Sequence, residues 1–436
     1  MRAYHLPQKQ LMDAIFEADA RFASSAYAVA QARPERAILV GIDGAEGYDT
    51  LEELAALAET AGVQVVGRSV QRRRAVDNAT YIGTGKAEEL ALDVNALEAD
   101  LVIFDDELSA IQMRNLEQSL GVPIIDRTML ILDIFAMRAQ SREGKLQVEL
   151  AQLKYRLPRL LGMGRALSRQ GASGVGMRGP GEKKLEIDRR RIRRRIFELE
   201  QSLAEIEKQR GLRRERRLQG PVPMVALVGY TNAGKSTLLN RLSGSDVLAE
   251  DRLFATLDPV VRQVPLPSGG ECLLSDTVGF INKLPHDLVR AFHSTLEEVR
   301  SAALILHVID CTSPYADVQA RVVEDALAQL GAADTPRINV YNKTDAAQAP
   351  FAMRGESVRI SARTGGGVDE LLERVERALN RRQVRVELVV PYDRYEAMRL
   401  LHELGAIRQE THEPDGTHVV ALLDEAQLWR VQKALS

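Results

Sequence analysis

The stretch PVPMVALVGYTNAGKSTLLNRL at residues 221–242 constrains the fold of this 436-residue chain more than any other segment. An apolar run leads into a loop with two glycines, and an amphipathic helical pattern follows the loop. Gly229, Gly234, Lys235 and Ser236 fit the pattern GxxxxGK[ST], which binds phosphate when it lies between a strand and a helix. The stretch therefore predicts an α/β domain with a mixed, mostly parallel sheet, helices on both faces and a phosphate site.

The chemistry of this loop suits a nucleoside triphosphate. Backbone N–H groups of the loop and of the helix N-terminus would point at the β- and γ-phosphates, and Lys235 would add a positive charge. We expect the hydroxyl of Ser236 to ligate Mg²⁺. The candidate nucleotide-binding residues of the loop are Gly229, Tyr230, Thr231, Asn232, Ala233, Gly234, Lys235, Ser236 and Thr237.

Two later segments carry candidate magnesium and γ-phosphate residues. Asp276, in DTVG at a predicted strand end, is expected to hold Mg²⁺ through water, and the N–H of Gly279 to meet the γ-phosphate. Thr256, in LFATLDP, follows Ser236 by 20 residues, a spacing suited to a switch threonine that completes the magnesium shell. An ordinary loop threonine is the alternative for Thr256.

The segment YNKTD decides between adenine and guanine. Asn342, Lys343 and Asp345 follow a predicted strand about 110 residues after the phosphate loop. A carboxylate can accept two N–H bonds from the guanine edge, whereas adenine would leave that charge badly paired. Ser361, Ala362 and Arg363, again after a predicted strand, fit a loop that backs the base through its main chain. The pattern favours GTP over ATP.

The order of these motifs resembles the translation-factor-related GTPases. Ras-like proteins carry a glutamine after DxxG that orients the attacking water, but this chain has Phe280. We therefore identify no certain catalytic residue and expect slow intrinsic hydrolysis, completed by a partner; a substitute residue within the chain is the alternative. Asn232 is a candidate ligand for K⁺ beside the phosphates, and a role in stabilising the turn is the alternative.

The rest of the chain divides into three further regions. Residues 1–127 predict a parallel α/β domain, because apolar strands alternate with helical patterns. Within it, YIGTGKAEEL fails the phosphate-loop spacing, so a strand-to-helix turn is favoured over a nucleotide or RNA contact at Lys86. Residues 128–220 predict an arm: a helix to residue 157, an irregular glycine-rich tip at 158–181 and a second helix, forming an antiparallel hairpin. After the GTPase domain at 221–380, residues 381–436 predict a small α+β domain of β-α-β-β-α order.

The arm carries positive charge on an otherwise acidic protein. Residues 151–220 contain 20 Lys and Arg against 8 Asp and Glu, a local charge of +12, so the remaining residues sum to −15 in a chain of net charge −3. Charge runs usually mark solvated helix faces, but this one follows a glycine-rich tip, which favours phosphate contacts to a large folded RNA. The candidate RNA contacts are Arg165, Arg169, Arg178, Lys183, Lys184, Arg189, Arg190, Arg191, Arg193, Arg194 and Arg195.

Several segments together resemble the HflX family of ribosome-associated GTPases: KLQVELAQLKYRLPRLLGMG, RGPGEKKLEIDRR, LVGYTNAGKSTLLNRL, LFATLDP and DTVGFINKLPHDLVRAF. The resemblance implies a factor that binds the large ribosomal subunit, inserts its arm toward the peptidyl-transferase region and splits stalled ribosomes. Ala172 and Ser173 interrupt the glycines usual in the tip, and Ile187 replaces a threonine. The alternative is an RNA-binding assembly or storage factor whose nucleotide only changes its affinity.

The partners and location follow from the same resemblance and from composition. We expect GTP or GDP, the large subunit and its RNA as partners, and a monomer. No apolar run is long enough to span a membrane and the N-terminus is unlike a signal peptide. We expect a cytoplasmic protein, with peripheral association at a membrane as an alternative.

Overall fold

The computed structural model describes residues 33–43, 50–73, 76–170, 180–218, 222–244, 253–254, 258, 260–283, 298–347, 352–380, 384–404, 406–423 and 425–435. For residues 43, 160–170, 180–185, 188, 209–218, 384, 425 and 426 only the backbone is described. The chain forms two compact units, Met1–Met137 and Arg138–Ser436. We describe each by itself.

The first unit is a parallel α/β domain, as predicted. Its four strands lie in the order β2-β1-β3-β4, and each pairs parallel with its neighbour. Strands β3 and β4 are fully buried and most of β1 is buried, as expected for a parallel sheet covered by helices, whereas the edge strand β2 is largely half-buried or exposed. In chain order the elements are β1 (Arg36–Asp43), α1 (Thr50–Thr60), β2 (Gln64–Arg72), α2 (Thr84–Ala96), β3 (Leu101–Phe104), α3 (Ala110–Leu120), β4 (Ile124–Asp126) and α4 (Arg127–Arg138).

Two charged side chains of this unit stand out: Lys86, a possible contact in the sequence analysis, and Arg127, which is buried. Lys86 lies in the first turn of α2 and pairs with Glu89 at 2.7 Å, in keeping with the strand-to-helix turn. Arg127 is 1% exposed and bonds Asp105 at 2.8 Å and also Glu53. These charges are buried because each finds an opposite charge, so Arg127 joins β3, β4 and α1 at the carboxyl edge of the sheet.

The arm consists of α5 (Arg142–Gln170) and α6 (Pro180–Leu218). The prediction of one helix from 128 is wrong, because α4 ends at Arg138 and a new helix starts at Arg142. The prediction of an irregular tip from 158 to 181 is wrong at both ends. Helix α5 continues through Pro158, and α6 already begins at Pro180, a first-turn position that proline favours.

The two arm helices pack along each other and, since only nine residues join them, run antiparallel. Leu150 of α5 and Leu199 of α6 are buried. Ion pairs join the helices at Lys154–Glu200 (2.8 Å) and Arg195–Glu149 (2.7 Å). Helix α5 continues past Pro158, although proline lacks the N–H that a helix interior uses for hydrogen bonding.

A six-stranded mixed sheet of order β10-β9-β8-β5-β7-β6 forms the α/β domain predicted at residues 221–380. All neighbours pair parallel except β6 and β7, which are antiparallel. Its elements are β5 (Met224–Gly229), α7 (Lys235–Ser243), β6 (Val260–Pro265), β7 (Glu271–Asp276), β8 (Leu304–Asp310), α8 (Ala316–Gln329), β9 (Arg337–Asn342), β10 (Ser357–Arg359) and α9 (Val368–Asn380). Because β5, β7, β8 and β9 are parallel, their carboxyl ends meet at one edge of the sheet.

The C-terminal region has the predicted β-α-β-β-α order. Its antiparallel sheet has the order β11-β13-β12, with Gly416 in the β12–β13 turn at φ 146°. The elements are β11 (Val384–Val390), α10 (Tyr395–Glu403), β12 (Ile407–Glu413), β13 (Gly416–Leu423) and α11 (Glu425–Leu435). Among the described residues of the whole chain, no helix is both long and apolar enough to cross a bilayer.

Candidate nucleotide site

The phosphate loop, residues 229–236, joins the end of β5 to the start of α7. Its conformation requires both motif glycines. A Cβ at Gly229 would overlap the carbonyl of Val308 on β8, and Gly234 has φ 91° and lies against the side-chain amide of Asn342. Asn232 has φ 60° and is exposed. The loop therefore leads directly into the N-terminus of α7, where an anion is favoured.

Lys235 is the buried cation of the loop. It is 6% exposed, and its Nζ donates to the carbonyl oxygens of Gly229 at 3.1 Å and Tyr230 at 2.8 Å. Burial lowers the pKa of Lys235 from 10.5 to about 8, against the opposite effect of the neighbouring Asp276. The site thus holds an ammonium group that gains from an added negative charge, as a phosphate would supply.

Ser236 and Asp276 come together at the other side of the loop. The Ser236 hydroxyl donates to Oδ2 of Asp276 at 2.8 Å, and Asp276 is 1% exposed at the end of β7. A hydroxyl and a carboxylate are the hard oxygen donors that Mg²⁺ takes, so these residues fit that ion. A Cβ at Gly279 would lie 3.1 Å from the Nζ of Lys235. Gly279 therefore lies beside the phosphate loop, whereas the predicted switch residue Thr256 is outside the described residues.

The main chain of Phe280 bonds the phosphate loop. Its N–H donates to Gly229 at 3.1 Å, and its carbonyl accepts from the N–H of Thr231 at 2.8 Å, forming a parallel bridge with Tyr230. The phenyl ring is 3% exposed. Because this side chain is apolar and buried, it cannot orient a water molecule at the γ-phosphate.

The three strand-end segments of the predicted base site also meet. Asn342 does not face outward: its Nδ2 donates to Ala233 at 2.9 Å and its Oδ1 accepts from the N–H of Ala362 at 2.9 Å. Asp345 Oδ1 accepts from Ser361 at 2.7 Å, and Oδ2 pairs with Arg363. The Ser361 bond, followed by Arg363, lowers the pKa of Asp345 and keeps it ionised as an acceptor.

Comparisons with known proteins agree with this geometry. Family models described as "GTP-binding GTPase N-terminal", "GTP-binding GTPase Middle Region" and "50S ribosome-binding GTPase" match residues 48–136, 138–217 and 224–343. The chain is 55% identical to a protein named GTPase HflX from Caldanaerobacter subterraneus subsp. tengcongensis, over 89% of this chain and 90% of that protein. The chain belongs to the HflX GTPase family. A second HflX, from Lacrimispora saccharolytica, is 48% identical over 89% of this chain and 93% of its own length.

The family resemblance inferred from the motifs is thereby confirmed, and the protein is a GTP-hydrolysing enzyme. Among solved structures, a GTP-binding protein from the archaeon Sulfolobus solfataricus in complex with GDP is 24% identical, with a TM-score of 0.42, and covers 80% of this chain and 99% of that one.

Two residues that the motifs do not include also organise the site. Arg241 of α7 donates to the carbonyl oxygens of Ala362 at 3.2 Å and of Arg363, and so holds the loop after β10. Asp310 at the end of β8 pairs with Lys343 at 2.7 Å. Local motif spacing carries no sign of Arg241, because its partners are more than a hundred residues away. Asp310, however, ends an apolar strand, and a carboxylate at a strand end is a signal that the sequence itself shows.

The structure describes some of the predicted RNA contacts on the arm. Arg190, Arg191, Arg193, Arg194 and Arg195 are exposed, and Arg189 is half-buried. Arg195 bonds both carboxylate oxygens of Glu149 on the facing helix, at 2.7 and 2.9 Å, so it also joins the two helices. The side chains of Arg165, Arg169, Arg178, Lys183 and Lys184 are outside the described residues.

Proposed function

We propose that this protein is a GTP-dependent factor that binds the large ribosomal subunit and splits stalled or idle ribosomes into subunits. The match of residues 224–343 to a family described as a 50S ribosome-binding GTPase supports the ribosome as partner. A cytoplasmic location and a monomeric state accord with that role. Hydrolysis is stimulated by the ribosome, because the buried ring of Phe280 leaves the attacking water without the usual side chain.

The observation that carries the proposal is the run of exposed arginines on α6. Arg190, Arg191, Arg193 and Arg194 are exposed within five residues, next to a GTPase domain in a protein of net charge −3. Acidic neighbours such as Glu186 and Glu198 pair with Arg190 and Arg194 at 3.4 and 3.1 Å. These exposed pairs contribute little and can be exchanged for RNA phosphates, so binding should weaken with salt.

Two cations belong to this proposal. Ser236 and Asp276 would hold Mg²⁺, Asp276 through water, and Thr256 would complete its shell. When bound, Mg²⁺ neutralises charge on the β- and γ-phosphates. Asn232 would bind K⁺ beside the phosphates; its φ of 60° is also explained by the tolerance of asparagine for that conformation. Equal hydrolysis rates in potassium and sodium salts would exclude the K⁺ site.

The proposal is tested by sucrose-gradient profiles of purified ribosomes mixed with the protein and either GTP, a non-hydrolysable analogue or GDP. Monosomes should convert to subunits with GTP and with the analogue, and not with GDP. Unchanged monosomes with the protein bound would instead indicate the assembly or storage role.

A matched pair of variants tests the arm. Arg190, Arg191, Arg193 and Arg194 are changed together to Gln, and a control changes Arg213, Arg214, Arg216 and Arg217, which removes the same charge from the other end of α6. The first variant should lose ribosome binding by about tenfold or more at physiological salt, with a reduced salt slope. The control variant should lose less ribosome binding. Equal binding by both variants and the wild type would contradict the proposal.

A further inference from the structure

The carboxylate of Asp258 lies at the N-terminus of α5, the first helix of the arm. Its Oδ2 accepts backbone hydrogen bonds from Gln140 at 3.1 Å and Ser141 at 2.8 Å, and its Oδ1 accepts one from the Ser141 hydroxyl. The oxygen of that hydroxyl accepts from the N–H of Gly144 at 2.9 Å, so Ser141 caps the helix. A carboxylate here binds otherwise unsatisfied N–H groups and lies at the positive end of the helix dipole.

Gly144 makes this approach possible. A Cβ at position 144 would lie 2.7 Å from Oδ1 of Asp258 and 3.1 Å from Oγ of Ser141. Glycine in the first turn lowers helix propensity relative to alanine. Its presence is therefore explained by the space that the carboxylate of Asp258 needs.

The position of Asp258 along the chain relates this contact to the nucleotide. It follows the candidate switch residue Thr256 by two residues and precedes β6 by two. The first residue of β6, Val260, pairs with Asp276 of β7, the candidate magnesium residue. Asp258 thus lies in the chain between two groups expected to respond to the γ-phosphate and Mg²⁺, and its side chain contacts the arm.

We propose that Asp258 is a positioning residue that couples the bound nucleotide to the start of the arm. Switch segments of GTPases are ordered by γ-phosphate and Mg²⁺ contacts and released on hydrolysis. We expect Asp258 to keep its contacts with Gln140 and Ser141 when GTP and Mg²⁺ are bound. When GDP is bound, these contacts should weaken. Coupling is reciprocal, so the cap must favour GTP over GDP by the same factor.

This inference deepens the proposed function, and it is tested without ribosomes. Hydrogen exchange of peptides covering residues 138–150 is measured on the full chain with GDP or with a non-hydrolysable GTP analogue. The analogue should slow exchange about five- to tenfold, the range expected for gaining a helix cap. Equal exchange in the two states, or faster exchange with the analogue, would overturn the inference. Neither result affects the ribosome-splitting test.

The decisive variant is Gly144→Ala, which places a Cβ against Asp258 while raising the helix propensity of α5. It should abolish the nucleotide-dependent difference in exchange and lower the ratio of analogue to GDP affinity by the same factor. The matched control is Gly85→Ala in the first turn of α2, where a Cβ would meet no atom within 4 Å. It should change neither quantity.

A smaller change checks that these effects do not arise from misfolding. Ser141→Ala removes one hydroxyl and should shift exchange and affinity ratio in the same direction, by a smaller factor. If Gly144→Ala and Ser141→Ala both keep the wild-type difference between nucleotides, Asp258 does not couple the site to the arm.

Discussion

The hydroxyl of Ser361 donates to Oδ1 of Asp345 across 2.7 Å, which joins the loop after β10 to the segment after β9. This bond and the Arg363 pair hold the carboxylate ionised, because both lower the pKa of Asp345. Asp345 is thereby prepared to accept two N–H bonds from guanine.

Replacing that carboxylate should change which base is bound. Asp345→Asn presents an amide donor where guanine presents N–H groups, so GTP affinity should fall at least about a hundredfold. The affinity for xanthine nucleotides should rise. Ser361→Ala leaves the carboxylate in place and should lower GTP affinity only several-fold. Titration with fluorescent guanine and xanthine nucleotides measures both variants; unchanged GTP affinity in Asp345→Asn would contradict the assignment of the base site.

The buried ammonium of Lys235 makes nucleotide binding depend on pH. Its pKa of about 8 in the free protein should rise when phosphates bind, because they favour the charged form. Binding therefore takes up a proton above about pH 8, and affinity should fall as the pH rises from 7 to 8.5. Calorimetry in two buffers of different ionisation enthalpy measures the uptake. Identical binding heats in both buffers at pH 8.5 would refute this linkage.

Position 280 should not accept the usual glutamine. Phe280→Gln would bury an amide in a site that holds an apolar ring, at a cost of about 1–3 kcal/mol in the free energy of unfolding. The buried amide would not reach the attacking water, so single-turnover GTP hydrolysis should stay slow. Phe280→Leu is the control for lost ring packing. A hydrolysis rate more than about tenfold above the wild type would show that the side chain does reach the γ-phosphate.

Local chemistry made much of the nucleotide site predictable. The phosphate loop lies between β5 and α7, where the motif requires it, since Gly229 and Gly234 have little room for a Cβ. Asn342 shows the limit of motif reasoning. Its contact with the nucleotide stays a prediction, and the motif gives no sign that its side-chain amide also bonds Ala233 and Ala362. Those partners are 109 and 20 residues away, and only the sheet order brings the three segments together.

The arm shows why some secondary structure could not be predicted. Pro158 and nearby glycines indicate a break locally, yet α5 continues to Gln170 and packs against α6, and such tertiary packing contributes more to helix stability than local propensity. The contact of Asp258 with Ser141 was equally hidden. Nothing in LFATLDP indicates a partner 117 residues earlier in the chain.

His307 on β8 should make the GTPase domain less stable in acid. It is 1% exposed, and burial, followed by the charge of Arg337, lowers its pKa from 6.5 to about 4. The folded state therefore favours neutral His307, and its contribution is complete above pH 6.5. Between pH 6.5 and 4 the unfolded chain binds a proton that the folded chain does not, so stability falls by about 1.4 kcal/mol per pH unit.

The non-titrating variant His307→Gln should lose about 1 kcal/mol less of its free energy of unfolding than the wild type between pH 7.5 and 5.5, measured by denaturant unfolding. Parallel losses in the two proteins would mean that His307 is protonated in the folded state.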